Sequence, residues 1–115
     1  MYNKLGDYTM TENKDIYFKV GSVKFNYRVG AIIIDQNNLL MIKNSNYDYY
    51  YSPGGRVKEN ETSEEAVLRE VVEETNINMK IEKLAYVHEN FVYWEIGDEF
   101  FHEIAFFYLM KPIYT

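Results

Sequence analysis

The chain changes its hydrophobic rhythm twice. Between residues 15 and 51, apolar side chains come in short runs rich in β-branched and aromatic residues, separated by polar turn residues. DIYFKVGSVKFNYR, residues 15–28, reads as two short strands folded around Gly21 and Ser22. YRVGAIIID, residues 27–35, has the continuous β-branched character of a buried strand. DQNN turns the chain into a further strand, LLMIKN, and NSNYD is loop. A short aromatic strand, YYYS, is then redirected by Pro53, Gly54 and Gly55.

The period next lengthens. Val67, Leu68, Val71 and Val72 recur at helical spacing and predict one apolar face on a helix over residues 63–75. Thr62, with Glu65 three positions on, is a capping box, and Glu64 and Glu65 suit the positive first turn. Asn76 suits the C-terminal cap, because asparagine tolerates the left-handed conformation better than most residues. Beyond it, INMKIEKLAYVHENFVYWE returns to strand, IGDE turns, and FFHEIAFFYLMK is a final long strand. One helix among many strands predicts an α+β fold with a mixed sheet. Residues 1–14 are polar and predict a flexible tail, leaving residues 15–115 as one domain.

Composition narrows the function. With 115 residues, 47% hydrophobic and 26% charged, the chain can bury a real core. It has no cysteine, which excludes disulfides and thiolate metal sites. The first fifteen residues hold no apolar run, and IAFFYLM, the longest one, is too short to span a bilayer, so a soluble cytoplasmic protein is expected. A net charge of −6 counts against a nucleic-acid duplex or an anionic membrane as partner. It leaves room for a nucleotide, since a cation can bridge acidic side chains to phosphate.

The end of the helix poses a problem that chemistry can answer. Glu70, Glu73 and Glu74 sit where a helix already carries partial negative charge, and they share a face at spacings of three and four. Carboxylate oxygens are hard ligands suited to magnesium or manganese, and a bound cation would cancel the repulsion. Arg69 lies among them with a planar fork that can orient carboxylates, and Glu61 is placed to pair with it. Gly54 and Gly55, just upstream, allow backbone to approach a ligand closely.

Read in full, GRVKENETSEEAVLREVVEETNI, residues 55–77, resembles the Nudix box. Gly55, Glu61, Arg69, Glu70, Val71, Glu73, Glu74 and Ile77 all match that pattern at its spacing; Asn76 stands where the family has glycine. The resemblance extends over about residues 15–111 and implies a Nudix-like mixed sheet carrying the loop–helix–loop of the box. It implies Mg2+ or Mn2+ held by Glu70, Glu73 and Glu74, with the carbonyl of Gly54 as a further ligand. Glu61, Arg69, Glu70 and Glu73 are the expected catalytic set, with Arg69 and Glu61 holding the loop–helix–loop in shape. The implied reaction is metal-dependent hydrolysis of a diphosphate linkage in a nucleoside diphosphate joined to another moiety. A Nudix-fold module that senses a nucleotide without cleaving it is the alternative.

Other residues are expected nearer the substrate than the metal. Arg28 is a candidate for phosphate, Tyr51 for stacking on a base, and Glu103 for a further ligand or base if its strand borders the helix. Lys43, His88 and His102 read as surface or structural residues, and Tyr49, Phe91, Tyr93 and Trp94 mainly as packing. The substrate is expected to be a small nucleotide-type molecule, with 8-oxo-dGTP, other nucleoside triphosphates, ADP-ribose and dinucleoside polyphosphates all open. Family members continue past the final strand into a second helix, for which this sequence supplies no segment. The apolar faces of residues 100–110 would then be bare, and a homodimer is expected to cover them.

Overall fold

The computed structural model describes residues 13–114. The tail expected over residues 1–14 lies, up to residue 12, outside the described residues. Lys14 is already tied in, its carbonyl accepting the Glu59 N–H at 2.7 Å.

The sheet is built around one long strand. β1 (Tyr17–Val20) turns at Gly21, whose φ of 61° lies in the region glycine enters freely, into β2 (Val23–Asp35). The two segments expected to meet near Arg28 are therefore a single thirteen-residue strand. No turn residue interrupts them. β7 (Met79–Trp94) and β8 (Glu99–Pro112) form the other long pair, joined through Gly97 and Asp98 at positive φ. The order is β1-β2-β8-β7, with β8 antiparallel to β7 but parallel to β2 from Val23↔Phe100 to Ile33↔Met110. The sheet is mixed, as the pattern predicts.

The opposite edge of β2 is shared along its length. β1 takes its first residues, β6 (Gly54–Arg56) pairs with Arg28–Gly30, and β3 (Asn38–Leu39) pairs with Ile34 and Asp35. LLMIKN is thus not one strand. It breaks after Leu39, because its second half, β4 (Ile42–Lys43), pairs instead with β5 (Tyr50–Tyr51). Nor do the glycines after Pro53 merely end a strand; they are one.

α1 (Ser63–Thr75) starts at the expected capping box, with the Thr62 side chain accepting from Glu65 N–H and the Glu65 carboxylate accepting from Thr62 N–H. It stops at Asn76, left-handed at φ 59°, ψ 27°, whose N–H donates to the Val72 carbonyl. That conformation costs most side chains about 1–2 kcal/mol, and asparagine is among the few that visit it routinely. Asn76 therefore keeps the geometry that the family's glycine would give. Ala66, Val67 and Val71 are fully buried against Val29, Ala31, Ile33, Tyr108 and Met110. Burying each of those valines contributes ~1.5–3 kcal/mol. Leu68 and Val72, expected on the same face, are 37% and 40% exposed. The helix meets the sheet along a narrow strip, and their positions fall beside it. Among the described residues no helix is long and apolar enough to cross a membrane.

Candidate active site

Close approach of β6 to β2 sets the floor of the site. A β-carbon on Gly54 would lie 2.2 Å from the Val29 carbonyl oxygen, so only glycine fits there. The Gly54 N–H donates to Glu74 Oε1 at 2.7 Å and fixes that carboxylate at the strand. At Gly55 a β-carbon would lie 2.4 Å from Glu70 Oε1. The missing side chain lets the Glu70 carboxylate rest against backbone.

Arg69 is the hub. Its Nε and Nη2 donate to the two oxygens of Glu61 at 2.7 and 3.0 Å, the bidentate arrangement that the guanidinium fork favours. Nη2 also donates to the Arg56 carbonyl at 3.0 Å, tying α1 to β6. Nη1 donates to Glu70 at 2.9 Å and lies 3.4 Å from Glu73. Glu61 accepts a further bond from the Lys58 N–H at 2.8 Å, which closes the loop before the helix. Glu61 and Arg69 therefore bond α1 to Lys58 in the loop before it and to Arg56 on β6.

The carboxylates differ in their charge economy. Burial alone would raise Glu61, but the bonds from Arg69 and Lys58 outweigh it and hold its carboxyl below the usual range. Burial raises Glu70, repulsion from Glu73 adds to that, and Arg69 offsets only part of it. Burial also raises Glu74; the Gly54 N–H gives part of that back, and repulsion from Glu70 and Glu73 adds to the rise. Arg28 also favours the charged forms of Glu70 and Glu74.

This donor set fits a divalent cation in its chemistry. Three hard carboxylates crowd one ridge, two of them are partly buried, and their mutual repulsion is incompletely compensated. It is not pre-gathered: among the described residues no three acidic or histidine side chains converge closely enough to hold an ion. Arg69 draws Glu70 and Glu73 aside, while Glu74 is held by the Gly54 N–H. Glu73 is the most exposed of the three, its side chain 53% accessible.

The remaining candidates separate. Arg28 points away from the Val29 face and lines a cavity with Arg56, Trp94 and Glu103. Glu103 faces that cavity and accepts from Asn26 Nδ2 at 2.9 Å, with Asn26 directly across from it on β2. Tyr51 makes edge contacts with Tyr47 and Tyr49, on the small β4–β5 sheet. Lys43 donates to the Tyr47 carbonyl, and His102 pairs with Glu89 at the surface. Asn26 and Arg56 were not singled out by sequence. The alternation of Lys24, Asn26 and Arg28 with apolar residues is the signal that marks them.

Known proteins agree with this picture. A model of the NUDIX domain matches residues 24–113. An ADP-ribose pyrophosphatase of Methanocaldococcus jannaschii is 40% identical over 65 residues, covering 54% of this chain and 38% of that protein. A putative 8-oxo-dGTP diphosphatase of Bacillus subtilis is 38% identical over 55 residues, covering 45% and 37%. Matched segments thus span under two fifths of these relatives. Among solved structures, a UDP-X diphosphatase superposes with a TM-score of 0.63 at 22% identity, over 77% of this chain and 42% of that one. A MutT NUDIX hydrolase of Burkholderia pseudomallei gives 0.56 at 25%, over 77% and 72%. The chain belongs to the Nudix family, and its fold is the α+β Nudix fold.

Proposed function

We propose that the protein is a metal-dependent pyrophosphohydrolase that cleaves a diphosphate linkage in a nucleotide or nucleotide conjugate. The observation that carries this is the Arg69 network, which holds Glu70 and Glu73 on one ridge beside a Glu74 anchored to the Gly54 strand. Glu70, Glu73 and Glu74, with the Gly54 carbonyl, are the groups that would hold Mg2+ or Mn2+. Once bound, the cation would neutralise diphosphate charge and acidify a water. Arg28 meets the phosphates from the sheet side. A carboxylate of the helix accepts the proton as water adds to phosphorus and the bridging oxygen leaves. Names of the relatives support the reaction class: one is a pyrophosphatase of ADP-ribose and another a putative diphosphatase of 8-oxo-dGTP.

A panel of ribo- and deoxyribonucleoside triphosphates, ADP-ribose and dinucleoside polyphosphates, separated by anion exchange, tests the reading. Magnesium-dependent release of a nucleotide product from at least one member is expected. A folded protein that leaves the whole panel intact would be the sensing module instead.

The protein also self-associates as a homodimer in this reading. Phe18, Phe91, Tyr93 and Phe100 are each at least half exposed on one face of the sheet, and apolar patches of this kind mark interfaces. Light scattering at micromolar concentration is expected to give twice the chain mass; the single-chain mass would show a monomer.

A further inference from the structure

The cavity lined by Asn26, Arg28, Glu103 and Trp94 has an internal order. Its volume, ≈ 400 Å³, is within the ~300–1,000 Å³ that small-molecule sites occupy. Arg28 stands at one end, paired across from Arg56 on β6, the strand whose Gly54 N–H holds Glu74. One row along the sheet, Glu103 sits opposite Asn26; a row further Val92 sits opposite Phe101; and in the last row Trp94 sits opposite Glu99. Rows are about 6–7 Å apart, two residues of strand.

The middle of this cavity is wired for one polarity. Asn26 is buried, 2% exposed, and bonded on both sides. Its oxygen accepts from Arg56 Nε at 3.1 Å. Because a guanidinium only donates, that bond dictates the amide's orientation and turns its NH2 toward Glu103. Arg56 is itself pinned, its guanidinium 4.0 Å from the centre of the Tyr17 ring. Glu103 thus presents an acceptor-only group whose Oε1 is occupied by Asn26, leaving Oε2 to face donors from a ligand.

We infer that this cavity binds the nucleoside half of the substrate, and that Glu103 accepts the hydroxyls of a ribose, making the protein selective for ribonucleotides over 2′-deoxyribonucleotides. The sequence of groups matches a nucleoside phosphate: cation for phosphate, acceptor for the sugar diol, apolar strand and indole for the base. A carboxylate on ribose hydroxyls is a recurring solution at nucleotide sites. The base lies over Val92 and Phe101 with the half-exposed Trp94 against it. Asn26 is a positioning residue, since it acts only by aiming Glu103. This inference rests on the nucleotide-binding part of the proposed function, with phosphates at the helix carboxylates. It separates ADP-ribose-like compounds from 8-oxo-dGTP.

Trp94 is the chain's one tryptophan, so its emission reports on the cavity without any turnover. Magnesium-free protein is titrated with AMP and with dAMP. Saturable quenching by AMP is expected, with dAMP binding weaker by about tenfold or more, the size of one hydrogen bond to a charged group. Glu103→Gln should bring the two affinities to within about twofold of each other, as that bond to charge is lost. Unchanged emission with AMP, or equal affinities in the unaltered protein, would overturn the inference whatever the variant does. Magnesium-dependent hydrolysis with flat emission would overturn the cavity and leave the proposed reaction standing. Discriminating quenching without hydrolysis would uphold the cavity and overturn the enzyme.

Discussion

Glu74→Gln is expected to lower turnover by about 100-fold or more while raising the melting temperature of the metal-free protein at neutral pH. The first half follows from losing a charge in the ligand set, since removing an electrostatic catalytic group commonly costs at least that much. The second follows from the environment of Glu74. Burial and repulsion from Glu70 and Glu73 raise its carboxyl above the ordinary value, so the charged form is costly in the folded chain. A group raised in the folded state makes the fold bind more protons than the unfolded chain, and stability then falls as pH rises through its titration. Glutamine removes that cost and still offers an oxygen to the Gly54 N–H. Its stabilising effect should vanish below the ordinary carboxylate pKa and reach full size above the raised one. Paired thermal melts in chelator from acid to neutral pH, with rates in magnesium, give both halves. A variant that is both less stable and fully active would refute the assignment.

Arg69→Ala should destabilise the fold by about 3 kcal/mol, near the lower end for removing one partner of a buried ion pair. Its side chain is 22% exposed, and Glu61 is 13% exposed, so solvent screens the pair only in part. Alanine would leave Glu61 without its bidentate partner, Glu70 without its counter-charge and the Arg56 carbonyl without that bond. For a domain of this size the melting point should fall on the order of 10 °C. Lysine should not restore it, because a single ammonium cannot reproduce the fork. Glu61 adds a pH signature. Its folded-state carboxyl is lowered, so its stabilisation is present above the ordinary carboxylate pKa and is lost as pH falls through the lowered value. The difference between the unaltered chain and the variant should shrink over that acid window in urea titrations. A loss under about 1 kcal/mol, at the level of a surface pair, would show that the hub is solvated.

What the sequence made legible was whatever a local rule determines. The capping box at Thr62, the left-handed cap at Asn76 and the spacing that lets Glu61 meet Arg69 each depend on residues within about two helical turns. So does the grouping of Glu70, Glu73 and Glu74. Local rules could not say that β2 runs unbroken through Arg28, or that LLMIKN divides between two sheets, because strand partners decide both. Nor could they show Arg69 gathering Glu70 and Glu73 to itself. Asn26 escaped notice for the same reason: its importance comes from Glu103, which lies 77 residues away in sequence. Leu68 and Val72 kept helical periodicity yet stayed half exposed, since periodicity fixes a face but not its width.

If the helix carboxylates act through a divalent cation, activity lost on chelation must return in a magnesium titration of the rate. The best substrate of the nucleotide panel is used, with the unaltered protein and Glu74→Gln side by side. A rate near zero in chelator, a saturable rise with magnesium in the unaltered protein and a rise about 100-fold smaller in the variant are expected. Undiminished hydrolysis in chelator, or a variant whose magnesium dependence overlays that of the unaltered protein, would contradict it.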